Sequence, residues 1–230
     1  MQTEVLCLGE MLWDCLADQP DRPEAEVVSW TSYPGGAPAN VACALARLGT
    51  ESTFIGCLGE DEAGDGLLET LRHYQVKTTA IQRAALPTRR VYVTRTTAGE
   101  RYFSSFGRIP ADQFADTRLA SDQLDPELFE PAGFLVIGSL MMAFPKSAQA
   151  VLHALDLADE QFVKVFLDVN WRPVFWEEPS KALETVYALI ERSDLLKLSE
   201  EEAEWLQLPT LDTLGKRFDH LEGIFITRGA

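Results

Sequence analysis

The chain has 230 residues, 46% of them hydrophobic and 24% charged, which are the proportions of a globular protein long enough to bury a core. Its formal net charge of -16 excludes a general affinity for nucleic acid, which needs a basic face. It does not exclude an anionic ligand held by a divalent cation, backbone amides and a few basic side chains. Cys7, Cys15, Cys43 and Cys57 form no C-x-x-C pair and sit in apolar runs, so free buried thiols are expected. His73, His153 and His220 are too dispersed for a zinc site. Residues 1–14 carry Glu4, Glu10 and Asp14 and no basic residue, unlike a secretory signal, and no apolar run is long enough to span a bilayer. A cytoplasmic protein with no membrane partner is expected.

Short apolar runs alternate with amphipathic stretches. In chain order, the pattern predicts a strand at 4–8, a helix at 38–48, a strand at 52–57 and a helix at 61–74 capped by Asp61. The first helix is expected to bury Val41, Ala44, Leu45 and Leu48 on one face, with Gly49 ending it. Strands follow at 134–138, 163–169, 195–198 and 224–227, with helices at 146–158, 180–192 and 200–206 between them. This alternation implies βαβ units around a mostly parallel sheet. Two segments break it: 26–33 reads as a strand, and 90–106 as a hairpin turning at Ala98-Gly99-Glu100. Strands inserted into such a frame are expected to lie outside the main sheet, as a lid that closes over a ligand.

The strongest motif is Gly35-Gly36-Ala37-Pro38-Ala39-Asn40-Val41-Ala42. The glycines let backbone approach a ligand, Pro38 suits a first helical turn, and free amides at the helix start can meet ligand oxygens. Asn40 offers both a donor and an acceptor to a hydroxyl-rich molecule. With Gly49 and Gly59 following at the expected spacing, this run resembles the first signature of the ribokinase/pfkB family of carbohydrate kinases, and its wording is most similar to fructokinases.

The resemblance implies a ribokinase-like three-layer α/β/α sandwich with a mostly parallel central sheet and a small β lid. Residues 1–230 would form one such domain without its C-terminal part, with the lid at about 11–34 and 87–108. It implies ATP and Mg²⁺ as cofactors and a sugar as acceptor. Residue by residue, Gly9-Glu10-Met11-Leu12-Trp13-Asp14 is similar to the family's first strand end, so Asp14 is expected to bind sugar hydroxyls beside Gly35, Gly36 and Asn40. The segment from Gly99 through Arg108 resembles the lid piece that sets aromatic and basic side chains over the sugar, with Phe106 and Arg108 as candidates, although Gly107 stands where an aromatic is often found. Gly59 to Gly64 also matches a family element, but a capped helix start accounts for it.

Asp168-Val169-Asn170-Trp171-Arg172-Pro173 is similar to the Asp-x-Asn-x-Arg-Pro element of fructokinases and ketodeoxygluconate kinases. Arg172 is expected to stabilise charge on the transferred phosphoryl group and Asn170 to meet the nucleotide. Trp171, Phe175 and Trp176 are expected to pack. Ser199 and Glu202 match an Asn-x-x-Glu element in its Ser form, which assigns Glu202 an outer-shell role toward Mg²⁺. An acid-rich helix start is also favoured by the helix dipole. Ile226-Thr227-Arg228-Gly229-Ala230 resembles a Thr-x-Gly element that contacts ATP phosphates, through Thr227 and Gly229. The family's Gly-Ala-Gly-Asp turn does not occur among the 230 residues, so its Asp, the catalytic base, is expected beyond Ala230. The chain is expected to be a piece of a longer domain, inactive alone.

The leading expectation is an ATP-dependent sugar kinase acting on fructose. A sugar-acid kinase of the 2-keto-3-deoxygluconate type is the runner-up, because Arg108 and Arg172 could hold a carboxylate. A non-catalytic protein binding a sugar or a partner is the second class. A Rossmann dehydrogenase is disfavoured, since no G-x-G-x-x-G follows the first strand. Dimerisation through the lid is implied by the resemblance only.

Overall fold

In β1 (Glu4–Leu8), Leu6 and Leu8 enter one buried cluster while Val5 and Cys7 enter another. A strand whose successive side chains point to opposite faces must be covered on both when every position is apolar or paired. The computed structural model describes residues 4–176 and 178–228 and meets that demand with a three-layer sandwich. After β1 come β2 (Leu12–Ala17), β3 (Trp30–Gly35), α1 (Ala37–Arg47), β4 (Ser52–Gly59), α2 (Glu62–His73) and β5 (Ile81–Ala84). Then follow β6 (Arg90–Arg95), β7 (Arg101–Ser105), β8 (Ala132–Gly138), α3 (Pro145–Glu160) and β9 (Lys164–Asp168). The described chain finishes with α4 (Pro179–Ile190), β10 (Leu195–Ser199), α5 (Glu200–Trp205), α6 (Leu211–Arg217) and β11 (Gly223–Thr227).

The central sheet has the order β11-β10-β9-β8-β1-β4-β5, and every pairing within it is parallel. Leu67 and Leu71 of α2, with Ala39 and Ala42 of α1, cover one face. Ala150 and Ala154 of α3, Val186 and Leu189 of α4, Ala203 of α5 and Leu214 of α6 lie in the cluster on the other. A separate four-stranded sheet, β3-β2-β6-β7, stands outside this sandwich. No helix among the described residues is long and apolar enough to cross a membrane.

Most expected elements are present, and the departures have physical reasons. Helix α1 buries the stripe read from its apolar residues only in part: Val41 and Leu45 are half-buried against the core, while Ala44 is exposed and Leu48 is 83% exposed. The buried positions are Pro38, Ala39 and Ala42, because small residues let the start of the helix press on the end of β1. A Cβ at Gly9 would lie 2.4 Å from Pro38 Cγ, which measures how close that approach is. The strand read at 26–33 begins later, at Trp30, after a 3-10 turn at Glu24–Glu26. Apolar patterning does not single out strands β2 and β5 or helix α6. β5 carries a buried Gln82 whose amide exchanges two hydrogen bonds with Ala120, so its apolar signal is interrupted. α6 has Gly215 in its interior and is set by a Thr210–Thr213 capping box.

Candidate functional site

β1 lies between β4, which follows it in the chain, and β8, which the chain reaches only after building the other edge. Such a reversal of strand order leaves a crevice at the carboxyl ends of a parallel sheet. A cavity of about 590 Å³ opens there. Glu10 follows β1, Leu140 follows β8, and Asn170, Arg172 and Phe175 follow β9 into its wall, while Gly36, Ala37 and Asn40 enter from the start of α1.

The lid sheet roofs this cavity through strand alternation. Leu12, Asp14 and Leu16 of β2, Val91 and Val93 of β6, and Arg101 and Phe103 of β7 all line it, two residues apart on each strand. β2 runs antiparallel to β3 and parallel to β6, so Asp14 sits beside Tyr33 on one side and Val91 on the other. Gly35 is needed opposite that carboxylate: a Cβ there would fall 2.2 Å from Asp14 Oδ2. Gly36 has φ +103°, a left-handed backbone, and a Cβ on it would meet the Glu10 carbonyl oxygen at 2.3 Å. The Gly-Gly turn is therefore wedged between Asp14 and the backbone that leaves β1.

Burial raises the Asp14 pKa from its ordinary value, while Arg101 and Arg172 oppose the rise. Two guanidinium groups thus share the cavity with a partly desolvated carboxylate. Glu10 is 2% exposed; its Oε1 accepts from the Ala37 amide at 3.1 Å and its Oε2 has no hydrogen-bond partner. Burial pushes its pKa up to about 7.

The loop after β9 is tied down from below. Asn170 takes a left-handed φ of 39°, which Asn tolerates better than most residues. The Ser139 hydroxyl donates to the Val169 carbonyl, and Trp171 stacks on Trp205 with centroids 4.1 Å apart. Glu202 is 6% exposed and spends both oxygens on this loop and its own helix: Oε1 accepts from the Trp171 amide at 2.7 Å and Oε2 from the Ser199 amide at 2.8 Å. The Ser199 hydroxyl returns a bond from the Glu202 amide, which completes a capping box. These bonds hold Arg172 in the cavity wall, where its Nη1 donates to the Trp171 carbonyl.

Asp14, Gly36, Asn40, Asn170 and Arg172 are therefore brought together, with Gly35 directly behind Asp14. Phe106 and Arg108 are not. They line a separate hollow of about 410 Å³ beside Asp61 and Arg90. β7 ends at Ser105 and Gly107 turns the chain with φ +70°, so alternation no longer applies at those two positions. Arg101 and Phe103 take the places over the cavity instead, and the two-residue period along 101–105 is the signal for them. Glu10 carries only a weak signal, as a second acid in the Gly9 to Asp14 run.

Phe106 packs into an aromatic box around a fully buried arginine. Arg89 lies 4.4 Å from the Phe114 ring centroid and 5.0 to 5.4 Å from those of Phe175, Phe106 and Phe144. Its Nε and Nη2 donate to the Asp116 carboxylate at 2.6 and 2.8 Å. Its carbonyl accepts from the Trp13 amide, at the root of the lid. No sequence feature marks this pair.

Ser199 and Thr227 are register partners at the carboxyl ends of β10 and β11, on the same sheet edge as the cavity. Thr227 is exposed there. Gly229 and Ala230 lie outside the described residues, and so does the base expected beyond Ala230. Of the expected Thr-x-Gly element, only Thr227 and Arg228 are therefore placed by the structure. Among the described residues no group of three or more His, Cys, Asp or Glu is placed to hold a metal ion directly.

A family model described as pfkB family carbohydrate kinase matches residues 2–230. A relative from Arabidopsis thaliana, named probable fructokinase-6, chloroplastic, is 34% identical over 235 residues, covering 98% of this chain and 59% of its own length. The chain therefore spans 59% of that relative. Among solved structures, a fructokinase from Xylella fastidiosa matches with a TM-score of 0.86 at 29% identity, over 100% of this chain and 71% of its own. A fructokinase from Xylella fastidiosa with bound ATP matches with a TM-score of 0.86 at 28% identity, over 100% of this chain and 73% of its own.

Proposed function

The chain belongs to the pfkB family of carbohydrate kinases, and on that premise we propose that it forms the sugar-holding part of an ATP-dependent phosphotransferase acting on a keto-hexose, fructose first. The observation that carries the reading is the lid-roofed cavity at the strand-order reversal, where Asp14, Asn40 and Arg172 converge. A carboxylate and an amide offer acceptors and donors to vicinal hydroxyls. The Asp14 carboxylate would take hydroxyl bonds, and Asn40 would give and accept them. Lid closure would exclude water from the transfer.

The nucleotide would approach along the same sheet edge, where Ser199 and Thr227 end β10 and β11 and Asn170 faces the cavity. ATP supplies the phosphoryl group when bound. Arg172 would meet the charge that spreads over the phosphoryl oxygens. Glu202, with both oxygens engaged by backbone amides, would reach a hydrated Mg²⁺ only through that ion's waters, which is the outer-shell role proposed for it. The acceptor hydroxyl must also lose a proton. The family resemblance assigns that task to the Asp of a Gly-Ala-Gly-Asp turn, and these residues are assigned sugar binding.

Sugar-dependent ADP release across a panel of hexoses, keto-sugars and sugar acids tests the activity in a chain that includes that turn. Release with fructose supports the reading. Release only with 2-keto-3-deoxygluconate moves the assignment to a sugar-acid kinase, a reading favoured by Arg101 and Arg172 sharing the cavity. No release with any sugar, together with retained sugar binding by calorimetry, makes the protein a binding module. The lid's outer edges, β3 and β7, are proposed to pair with those of a second copy, which sedimentation at rising concentration would test.

A further inference from the structure

Glu10 is the one cavity-wall carboxylate that the sequence motifs left without a role. It leaves β1 at the centre of the sheet, and its side chain is almost wholly buried. One oxygen is engaged: Oε1 accepts from the Ala37 amide, at the start of α1, an 11-residue helix whose first turn also presents Asn40. The other, Oε2, is buried and has no partner. A buried acceptor left unpaired costs on the order of 1–3 kcal/mol, more when charged, so this cavity-wall side chain gains by turning Oε2, which is closed off in the free protein, toward a donor from the ligand.

We propose that Glu10 is a substrate-binding residue: its Oε2 accepts a hydrogen bond from a hydroxyl of the sugar held between Asp14 and Asn40. The inference rests on the reading of this cavity as a sugar site. It assigns Glu10 two tasks, fixing the Gly35-Gly36 turn through Ala37 and reading one hydroxyl of the ligand. An oxygen that receives a hydroxyl is stabilised as carboxylate, so sugar binding must release a proton from Glu10 whenever the free protein holds one there.

The charged and titratable groups facing this position are few. Arg89 and Asp116 act on Glu10 from the lid root and from the 3-10 turn at Ala115–Arg118, Arg89 lowering its pKa and Asp116 raising it. Asp14 comes from β2, Arg101 from β7 and Arg172 from the loop after β9. No histidine is among the described cavity residues. Glu10 therefore titrates near neutrality with its burial as the main cause, and Asp14 is the other carboxylate in the cavity with a raised pKa. Burial sets the Glu10 pKa of the free protein at about 7. If the bound sugar lowers that value by one unit, affinity weakens about fivefold between about pH 8 and about pH 6.

The experiment is calorimetric titration of the chain with D-fructose across that range, in buffers of different ionisation enthalpy, on the unaltered chain and on Glu10→Gln. Glutamine keeps an oxygen for the Ala37 amide and cannot titrate. The proposal expects proton release on binding and an affinity that rises with pH in the unaltered chain, both lost in E10Q. Fructose binding with no pH dependence and no proton release overturns the proposal and leaves the sugar-site reading intact. The same dependence persisting in E10Q also overturns it, and points to Asp14. Absence of fructose binding at every pH overturns both. Should E10Q fail to fold, carboxyl carbon NMR of Glu10 in the unaltered chain decides: its titration midpoint must fall on saturation with fructose, and a midpoint that stays or rises overturns the proposal.

Discussion

Replacing Asp116 by alanine leaves Arg89 as an unpaired cation inside the protein. The two side chains are 0% and 2% exposed, the contact is bidentate at 2.6 and 2.8 Å, and four phenylalanine rings exclude water around it. The remaining bond from Arg89 Nη2 to the Ala111 carbonyl at 2.9 Å cannot neutralise the charge, and Nη1 already lacks a partner. Breaking such a pair costs about 3–5 kcal/mol, most of it the desolvation of the stranded partner. For a chain of this length each kcal/mol lowers the melting temperature by ~2–4 °C, so Asp116→Ala is expected to lower it by ~6–20 °C. The double variant Arg89→Met with Asp116→Leu, which removes both charges and keeps much of the volume, is expected to be markedly more stable than D116A. Glu191→Gln is the control: its ion pair with Arg217 is about half exposed on both sides, and its loss is expected to cost less than about 1 kcal/mol. Urea denaturation followed by tryptophan fluorescence measures all of them. A D116A cost below about 1 kcal/mol would refute the reasoning that the variant strands an uncompensated charge in the interior.

Gly35→Ala sets a methyl against the Asp14 carboxylate and is expected to weaken sugar binding about tenfold or more by calorimetry, since that carboxylate must rotate away. Glu202→Ala removes one capping bond and the Trp171 tether together, an expected loss of about 2–4 kcal/mol by denaturant melt, with a less ordered Arg172 loop seen as faster amide exchange. Because burial raises the Glu10 pKa from 4.5 to about 7, the folded state holds a proton there that the unfolded chain has lost, so this group's contribution to stability falls as pH rises through that window. The stability of E10Q relative to the unaltered chain is expected to rise by up to about 3 kcal/mol between about pH 4 and about pH 8, and a flat difference would count against the burial. Leu48→Gln, at a position 83% exposed, is expected to change stability by less than about 0.5 kcal/mol; a core-sized loss would restore the helix face read from sequence.

The Phe106 and Arg108 placements mark where sequence reasoning lost its hold. Up to Ser105 the lid hairpin obeys a two-residue period, and that period alone sends Arg101 and Phe103 toward one face. Beyond it, a left-handed Gly107 breaks the period, and the direction of Phe106 depends on a box assembled from distant segments. Glu202 is a related case. Its place in a Ser-x-x-Glu motif is legible as a helix start, but its bond to the Trp171 amide joins residues 31 apart and exists only because β9 and β10 are neighbours.

Local patterns were sufficient for the strand–helix alternation, the Asp61 cap, the lid hairpin and the Gly-Gly turn before α1, because each depends on residues within a few positions of one another. Only the folded chain decided which positions of α1 are fully buried, that Glu10 and Arg89 are interior ionisable groups, and which lid residues roof the cavity. Those outcomes depend on the closeness of α1 to β1, on water excluded by four aromatic rings, and on strand register across the lid. Burial and register are properties of segments brought together, and no single stretch of this sequence contains them.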